Sequence, residues 1–279
     1  INGGKVTIRG DISSQFISGL LFACPKAKKD TEISITKPLE SRNYVQMTME
    51  VLGKHGIRVF ASDNFAQLKI PSNQSYNPRN HEVPGDFSSA AFLLASAAIT
   101  SSKLKVKNLD YHTNQGDKAI LNILREMGSK VRVGDNYVEI EGEGLNAIDV
   151  DAKDIPDLVP VCAALACYSR GTSKIHDAKR LRYKESDRLS SLHAELRKMG
   201  AEIMVNEDSL IIRGPCKMHG AVIDPHNDHR IAMACAVAAL AASEETKIQN
   251  SECVNKSYPR FFDDLRLLGA NIVGRQFHR

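Results

Sequence analysis

The sequence has no tryptophan, and aromatic residues make up only 6% of its 279 positions, so a basic surface laced with stacking rings has little to be built from. It has no long hydrophobic run either. The longest, residues 90–99 and 231–242, are alanine-rich and fall short of the roughly 18 residues that cross a bilayer. No basic, then apolar, then small-residue start marks a secretory signal. There is no GxxxxGK[ST] loop, no GxGxxG after a strand, no GxSxG elbow and no HExxH pair, which removes the common nucleotide, hydrolase and zinc-protease readings. The six cysteines, Cys24, Cys162, Cys167, Cys216, Cys235 and Cys253, include no CxxC pair. Cys162 and Cys167 sit in an apolar stretch, so buried reduced thiols in a cytoplasmic protein are expected rather than a disulfide framework. The nine histidines show no ligand spacing, and no metal is assigned. Thirty-seven Lys and Arg against 33 Asp and Glu leave a net charge of +4, too diffuse for a nucleic-acid footprint.

What is present is an ordinary globular composition, 42% hydrophobic and 25% charged, over a length that suggests about two domains. An internal repeat organises it. Four amphipathic helices close in the same way, at Leu52 to Gly56, Leu124 to Gly128, Leu196 to Gly200 and Leu265 to Gly269, with the glycines 72, 72 and 69 residues apart. Each glycine sits where a helix C-terminus calls for a left-handed residue. Ile120, Ile123, Leu124 and Met127 form one apolar stripe, and Leu189, Leu192, Leu196 and Met199 another. Two short strands follow, as in Lys130 to Val133 and Tyr137 to Ile140.

An earlier helix in each copy starts after Asp11, Asp86, Asp154 or Asn227, and three of these helices are apolar nearly all round. The unit therefore reads as βαβαββ in about 70 residues, giving an α/β (α+β) chain. The polar, turn-rich stretch around 73–80 reads as a linker between a single unit over 1–72 and three units over 81–279. With one copy before the break, and Ile1 rather than Met at the start, the expectation is that partners of the first unit lie outside this chain.

The helix starts present backbone N–H groups and positive dipole ends at one level of each repeat, which suits anions. Singly, Ser13, Ser14, Asp86, Ser88 and Asp228 read as plain N-caps. Gln15 is harder to explain that way. The strongest cluster is Arg182-Tyr-Lys184-Glu185-Ser-Asp187-Arg188, expected to open the third unit's second helix with Lys184 and Arg188 on one face. Arg230 at a helix start and Lys256 in a loop join them at the same level, with Asp157 and Glu185 between. Several cations and two carboxylates suit a substrate bearing phosphate and carboxylate groups whose chemistry moves protons.

Ser13-Ser-Gln-Phe16, Val83 to Ala90, Ile155-Pro-Asp157, Arg182 to Leu189, Asn227-Asp-His-Arg-Ile-Ala-Met233 and the Lys256 loop ending in Phe262 together resemble the 5-enolpyruvylshikimate-3-phosphate synthase family, in order and at matching spacing. The resemblance implies a two-globe, inside-out α/β barrel fold of six units, four of them present here. It implies transfer of the enolpyruvyl group of phosphoenolpyruvate to the 5-hydroxyl of shikimate 3-phosphate, with phosphate released, in chorismate and aromatic amino acid biosynthesis. No cofactor, nucleic acid or membrane is implied, and a monomer at full length is expected.

Carried over by position, Ser13, Ser14, Gln15 and Ser41 would hold shikimate 3-phosphate, with Gln15 also near phosphoenolpyruvate. Asp157 and Lys184 would contact the ring hydroxyls, Asp157 accepting the proton of the attacking hydroxyl. Glu185 would protonate the methylene carbon, and Arg188, Arg230 and Lys256 would bind the anionic groups of phosphoenolpyruvate. Arg180 stands where members often place Asn, and it is left outside the site. The family's early Lys-Ser pair, its Asn-x-Gly-Thr stretch and two arginines have no counterpart in these residues, so the chain alone is expected to turn over negligibly. A transferase acting on UDP-N-acetylglucosamine, which shares this architecture, and a non-catalytic protein keeping the fold are the rival readings.

Overall fold

The computed structural model describes residues 1–274, in two compact units. Unit 1 takes in residues 1–84 and 112–116, and unit 2 takes in 85–111 and the described residues from Asp117 onward.

Unit 1 is one complete repeat: β1 (Gly4–Arg9), α1 (Ser14–Ala23), β2 (Thr31–Thr36), α2 (Arg42–Lys54), β3 (Phe60–Ala61) and β4 (Gln67–Ile70). Its sheet runs β1-β2-β4-β3, with β1 parallel to β2 and the other pairs antiparallel. Ile17, Leu21, Ile33, Val45, Leu52, Leu68 and Ile70 fill the space between helices and sheet. Residues 72–77 are tied back onto this unit. The Gln74 side chain accepts from the Arg58 amide at 2.8 Å and donates to the Arg58 carbonyl at 3.0 Å, and the Tyr76 hydroxyl donates to the Phe22 carbonyl at 2.5 Å.

Unit 2 continues with α3 (Phe87–Ile99), β5 (Lys103–Lys107), α4 (Ile120–Glu126), β6 (Lys130–Gly134) and β7 (Tyr137–Glu141). Then come β8 (Asp149–Asp151), α5 (Val159–Cys167), β9 (Gly171–His176), α6 (Arg188–Lys198), β10 (Ile203–Val205) and β11 (Leu210–Gly214). It ends with β12 (Val222–Ile223), α7 (His229–Ala239), β13 (Lys247–Ile248) and α8 (Phe261–Leu267). The third repeat is complete, and its sheet order β8-β9-β11-β10 reproduces that of unit 1 strand for strand. The second repeat has no leading strand, because the polar run before α3 forms no ladder, and its sheet is β5-β7-β6. The fourth holds only the parallel pair β12-β13 among the described residues. The six-element unit expected in every copy is thus met in full by the first and third.

The four helix ends are one motif repeated. After α2, α4, α6 and α8 the amides of Ile57, Ser129, Ala201 and Ala270 donate to the carbonyls of Leu52, Leu124, Leu196 and Leu265, all at 2.9–3.0 Å. The amides of Gly56, Gly128, Gly200 and Gly269 close the inner bonds, each from a positive φ between 79° and 109°. This double bond pattern needs a left-handed residue at the glycine. The apolar stripes expected on α4 and α6 are buried, with Leu189, Leu192, Leu196 and Met199 all at 0% exposure.

The helix starts are more varied than the acidic pattern suggested. Asp86 caps α3 by accepting from the Ser88 and Ser89 amides. Ser13, not Asp11, caps α1, because Asp11 is drawn to Arg9 at 2.8–2.9 Å. Asp228, not Asn227, caps α7. Ahead of α5 a 3-10 turn over Pro156–Leu158, without a side-chain cap at Ile155, feeds the helix directly. In unit 2, α3, α5 and α7 pack on one another, so all nine residues of α5 and ten of eleven in α7 are buried.

Candidate functional site

A charged cluster collects where α5, α6 and α7 begin. The 3-10 turn before α5 presents Asp157, the segment leading into α6 presents Lys184 and Glu185, and α6 itself opens with Arg188. At the head of α7 stand Asp228, His229 and Arg230, and Lys256 ends a 3-10 turn over Ser251–Lys256.

Arg188 is the hub. It is 1% exposed, and all three guanidinium nitrogens face carboxylates. Its Nε donates to Asp228 Oδ2 at 2.8 Å, Nη1 to Asp157 Oδ1 at 2.8 Å and Nη2 to Glu185 Oε2 at 2.7 Å. A planar fork of this kind fixes the direction of each carboxylate as well as its distance. Around it, Arg230 Nη2 lies 3.3 Å from Asp157 Oδ2, Lys184 Nζ lies 3.8 Å from Asp157 Oδ1, and Lys256 Nζ donates to Glu185 Oε1 at 2.7 Å. Arg230 Nη1 also donates to the Asp157 carbonyl at 3.2 Å. The Asp228 carboxylate, fully buried, accepts from Ser186 Oγ at 3.1 Å and from the Arg230 amide at 2.9 Å.

The electrostatics follow from that geometry. Burial alone would raise the Asp157 pKa, but Arg230, Lys184 and Arg188 outweigh it and hold the carboxyl well below the usual range. Burial likewise opposes ionisation of Glu185, while the Lys256 hydrogen bond and the Arg188 charge bring it down to about 2. Burial, and then the Arg230 charge, lower His229, whose ring sits 4% exposed between two ionised neighbours. Four cations face three carboxylates, and the outward side is cationic. Lys256 and Lys184 side chains are 56% and 32% exposed, whereas Arg188 is sealed behind them.

Six of the ten residues singled out from the sequence, Asp157, Lys184, Glu185, Arg188, Arg230 and Lys256, therefore lie in one network of unit 2. One detail differs from expectation. Lys184 does not share a helical face with Arg188: Asp187 accepts from the Ser190 amide at 3.1 Å and starts α6 there, leaving Lys184 in extended backbone.

The other four residues lie in unit 1. Ser13 caps α1 by accepting from the Gln15 amide at 3.2 Å, Ser14 is its buried first residue, and Gln15 is exposed beside it. Ser41 precedes α2 with a left-handed φ of 53°, a strained backbone for a residue with a Cβ. Sequence reasoning gave Asp228 only a capping role. It missed that the same carboxylate grips a residue 40 positions earlier, because no local pattern encodes such a pair.

Repeated βαβαββ units carrying this cluster mark the enolpyruvyl-transferase class of α/β protein. The sequence profile of the EPSP synthase (3-phosphoshikimate 1-carboxyvinyltransferase) family matches residues 1–265, and the chain belongs to that family. It is 46% identical over 98% of its length to the 3-phosphoshikimate 1-carboxyvinyltransferase of Methanocaldococcus jannaschii, and 48% identical, again over 98%, to that of Methanocella arvoryzae. It spans 63% and 64% of those relatives. An EPSP synthase structure from Acinetobacter baumannii superposes with a TM-score of 0.81 at 26% identity, covering 97% of this chain and 63% of that one. No helix among the described residues is long and apolar enough to cross a membrane.

Proposed function

We propose that the protein transfers the enolpyruvyl group of phosphoenolpyruvate to the 5-hydroxyl of shikimate 3-phosphate and releases phosphate. The observation that carries this reading is the pairing of each proton-handling carboxylate with a cation an anionic substrate would claim. Asp157 sits against Arg230 and Lys184, and Glu185 against Lys256. The names of the relatives support the same substrates.

In that reaction Glu185 gives a proton to the methylene carbon of phosphoenolpyruvate, building positive charge on the adjacent carbon. The hydroxyl oxygen bonds to that carbon while its proton passes to Asp157. The resulting tetrahedral ketal returns a methyl proton to Glu185 and expels phosphate, which takes the proton held by Asp157, with Arg230 and Lys256 stabilising the negative charge that leaves. The depressed pKa values then have a use. Both carboxyls are ionised and poor proton carriers while the cations are theirs alone. When phosphate and carboxylate groups draw Arg230, Lys184 and Lys256 away, the proton affinity of Asp157 and Glu185 rises toward what the chemistry needs. Arg188 is assigned, by family resemblance and with Arg230 and Lys256, to the anionic groups of phosphoenolpyruvate, its fork held in direction by Asp157, Glu185 and Asp228. Ser13, Ser14, Gln15 and Ser41 are assigned, by family resemblance, to shikimate 3-phosphate. We further assign the protein to the cytoplasm, as a monomer at full length, with no cofactor.

The test replaces the matching stretch of the Methanocaldococcus relative with this chain and measures phosphate release from phosphoenolpyruvate on adding shikimate 3-phosphate. Release that depends on the acceptor, and drops by about 100-fold or more in Asp157→Ala, is expected. A well-folded chimera that ignores shikimate 3-phosphate but uses a UDP-sugar acceptor would overturn the assignment.

A further inference from the structure

Away from the charged cluster, at the opposite end of α5, two cysteines meet. Cys167 is the last residue of α5 and is fully buried; Cys216 follows β11 and is half-buried, open on one side to solvent. The Cys216 amide donates to the Cys167 carbonyl at 2.7 Å. A direct backbone bond of that kind places the two Cα atoms within the roughly 4.4–6.8 Å that a disulfide spans. The Glu202 amide donates to Cys216 Sγ at 3.4 Å. In its thiol form Cys216 donates to the Arg213 carbonyl at 3.1 Å.

We propose that Cys167 and Cys216 form a peroxide-responsive thiol–disulfide pair, with Cys216 the attacking thiolate and Cys167 the resolving thiol. The nucleophile must be the ionised, reachable sulfur. The Cys167 hydrogen bond, followed by the Glu202 amide, lowers the Cys216 thiol to about 6 against the opposing effects of its partial burial and the Glu202 charge. Cys167 is pushed the other way, first by donating that hydrogen bond and then by burial. Exposure assigns the same two roles, since Cys216 is half-buried and Cys167 fully buried.

The steps balance. The Cys216 thiolate attacks one oxygen of hydrogen peroxide, the O–O bond breaks, and sulfenic acid forms as hydroxide leaves and is protonated to water. The Cys167 sulfur then attacks the Cys216 sulfur, the S–O bond breaks, and the departing hydroxide takes the Cys167 proton. Two thiols lose two electrons in all, and one peroxide is reduced to two waters. The product ties the end of α5 to the segment leaving β11. Cys235, buried in α7, is close enough to raise Cys167 electrostatically, and it is the competing resolving thiol.

Treating the purified chain with one equivalent of hydrogen peroxide, blocking free thiols and mapping peptides by mass spectrometry tests this. A peptide pair joined through Cys167 and Cys216, two hydrogens lighter than its parts and released by dithiothreitol, is expected. In Cys167→Ala, checked for folding by circular dichroism, Cys216 should stop at sulfenic acid and be trapped by dimedone. Iodoacetamide should alkylate Cys216 with a pH midpoint near 6, against about 8.5 for an ordinary thiol. First oxidation at any other cysteine, a crosslink that joins Cys167 to Cys235, or an ordinary midpoint at Cys216 would overturn the proposal.

Discussion

The first helix of the repeat, α1 in unit 1 and α3, α5 and α7 in unit 2, is mostly apolar in every copy and has very different surroundings. α1 buries only Ser14, Ile17 and Leu21 of its ten residues, leaving Phe16 61% and Phe22 48% exposed. α3 buries twelve of thirteen residues and α5 all nine. The difference is company. In unit 2 three such helices supply one another with apolar neighbours, whereas in unit 1 α1 has α2 and its own sheet beneath it. Apolar composition all round a helix therefore states what the helix can bury, and the number of like helices beside it decides what it does bury.

The comparison breaks first at Arg188. Unit 2 alone has a sealed charged hub, and Arg188→Met leaves Asp228, at 0% exposure, and Asp157 without their shared partner. Removing one side of a buried ion pair costs about 3–5 kcal/mol. Urea denaturation should show that loss, and a loss under about 1 kcal/mol would mean that the carboxylates relax into water or pick up protons. Next come the phenylalanines. Phe92, fully buried with its ring 6.2 Å from that of Phe261, should lose about 3–5 kcal/mol on truncation to Ala. Phe16→Ser should stay within about 0.5 kcal/mol. An equal cost for the two would erase the distinction drawn between α1 and α3.

The four helix ends sharpen it further, because the same motif sits in different surroundings. A Cβ on Gly200 would meet the Lys217 backbone oxygen at 2.7 Å, whereas one on Gly269 meets nothing within 4 Å. Gly269→Ala should therefore cost only the left-handed conformation, about 1–2 kcal/mol, and Gly200→Ala clearly more. Thermal melts of the two variants rank them, and the reverse order would contradict the packing around Gly200.

The glycine motif and the buried stripes were legible in the sequence because each is local: a leucine four positions before a glycine fixes both hydrogen bonds. The six charged residues of unit 2 were legible as a group because they fall at equivalent positions in successive repeats. What escaped is pairing at a distance. Nothing near Asp228 announces that it serves Arg188 as well as the α7 cap, and nothing in Lys184-Glu-Ser-Asp187-Arg188 says which residue starts the helix until Asp187 is seen accepting from Ser190. Strand content escaped for the opposite reason, since the repeat pattern promised ladders that residues 71–84 and those following α8 do not form within the described chain. The same limit applies to burial: nothing in the sequence around Arg188 says that it lies inside, and only the three-carboxylate hub shows why it does.

The smallest effect separates the hub from its rim. Lys256 is 56% exposed and touches only the outer oxygen of Glu185, so Lys256→Met should change stability at neutral pH by less than about 1 kcal/mol. Its signature is the pH dependence of that difference. Glu185 has a folded pKa of about 2 against an ordinary 4.5, so its stabilisation is present above 4.5 and is lost as the pH falls toward 2. Without Lys256 the Arg188 charge remains but the direct hydrogen bond goes, and the folded pKa moves up toward 4.5. Stability of the variant and the parent should then differ near neutral pH and converge in acid, because a protonated Glu185 has no charge for Lys256 to hold. A difference that persists unchanged below pH 2 would show that the lysine stem acts through packing, and Glu185 would owe its low pKa to Arg188 alone.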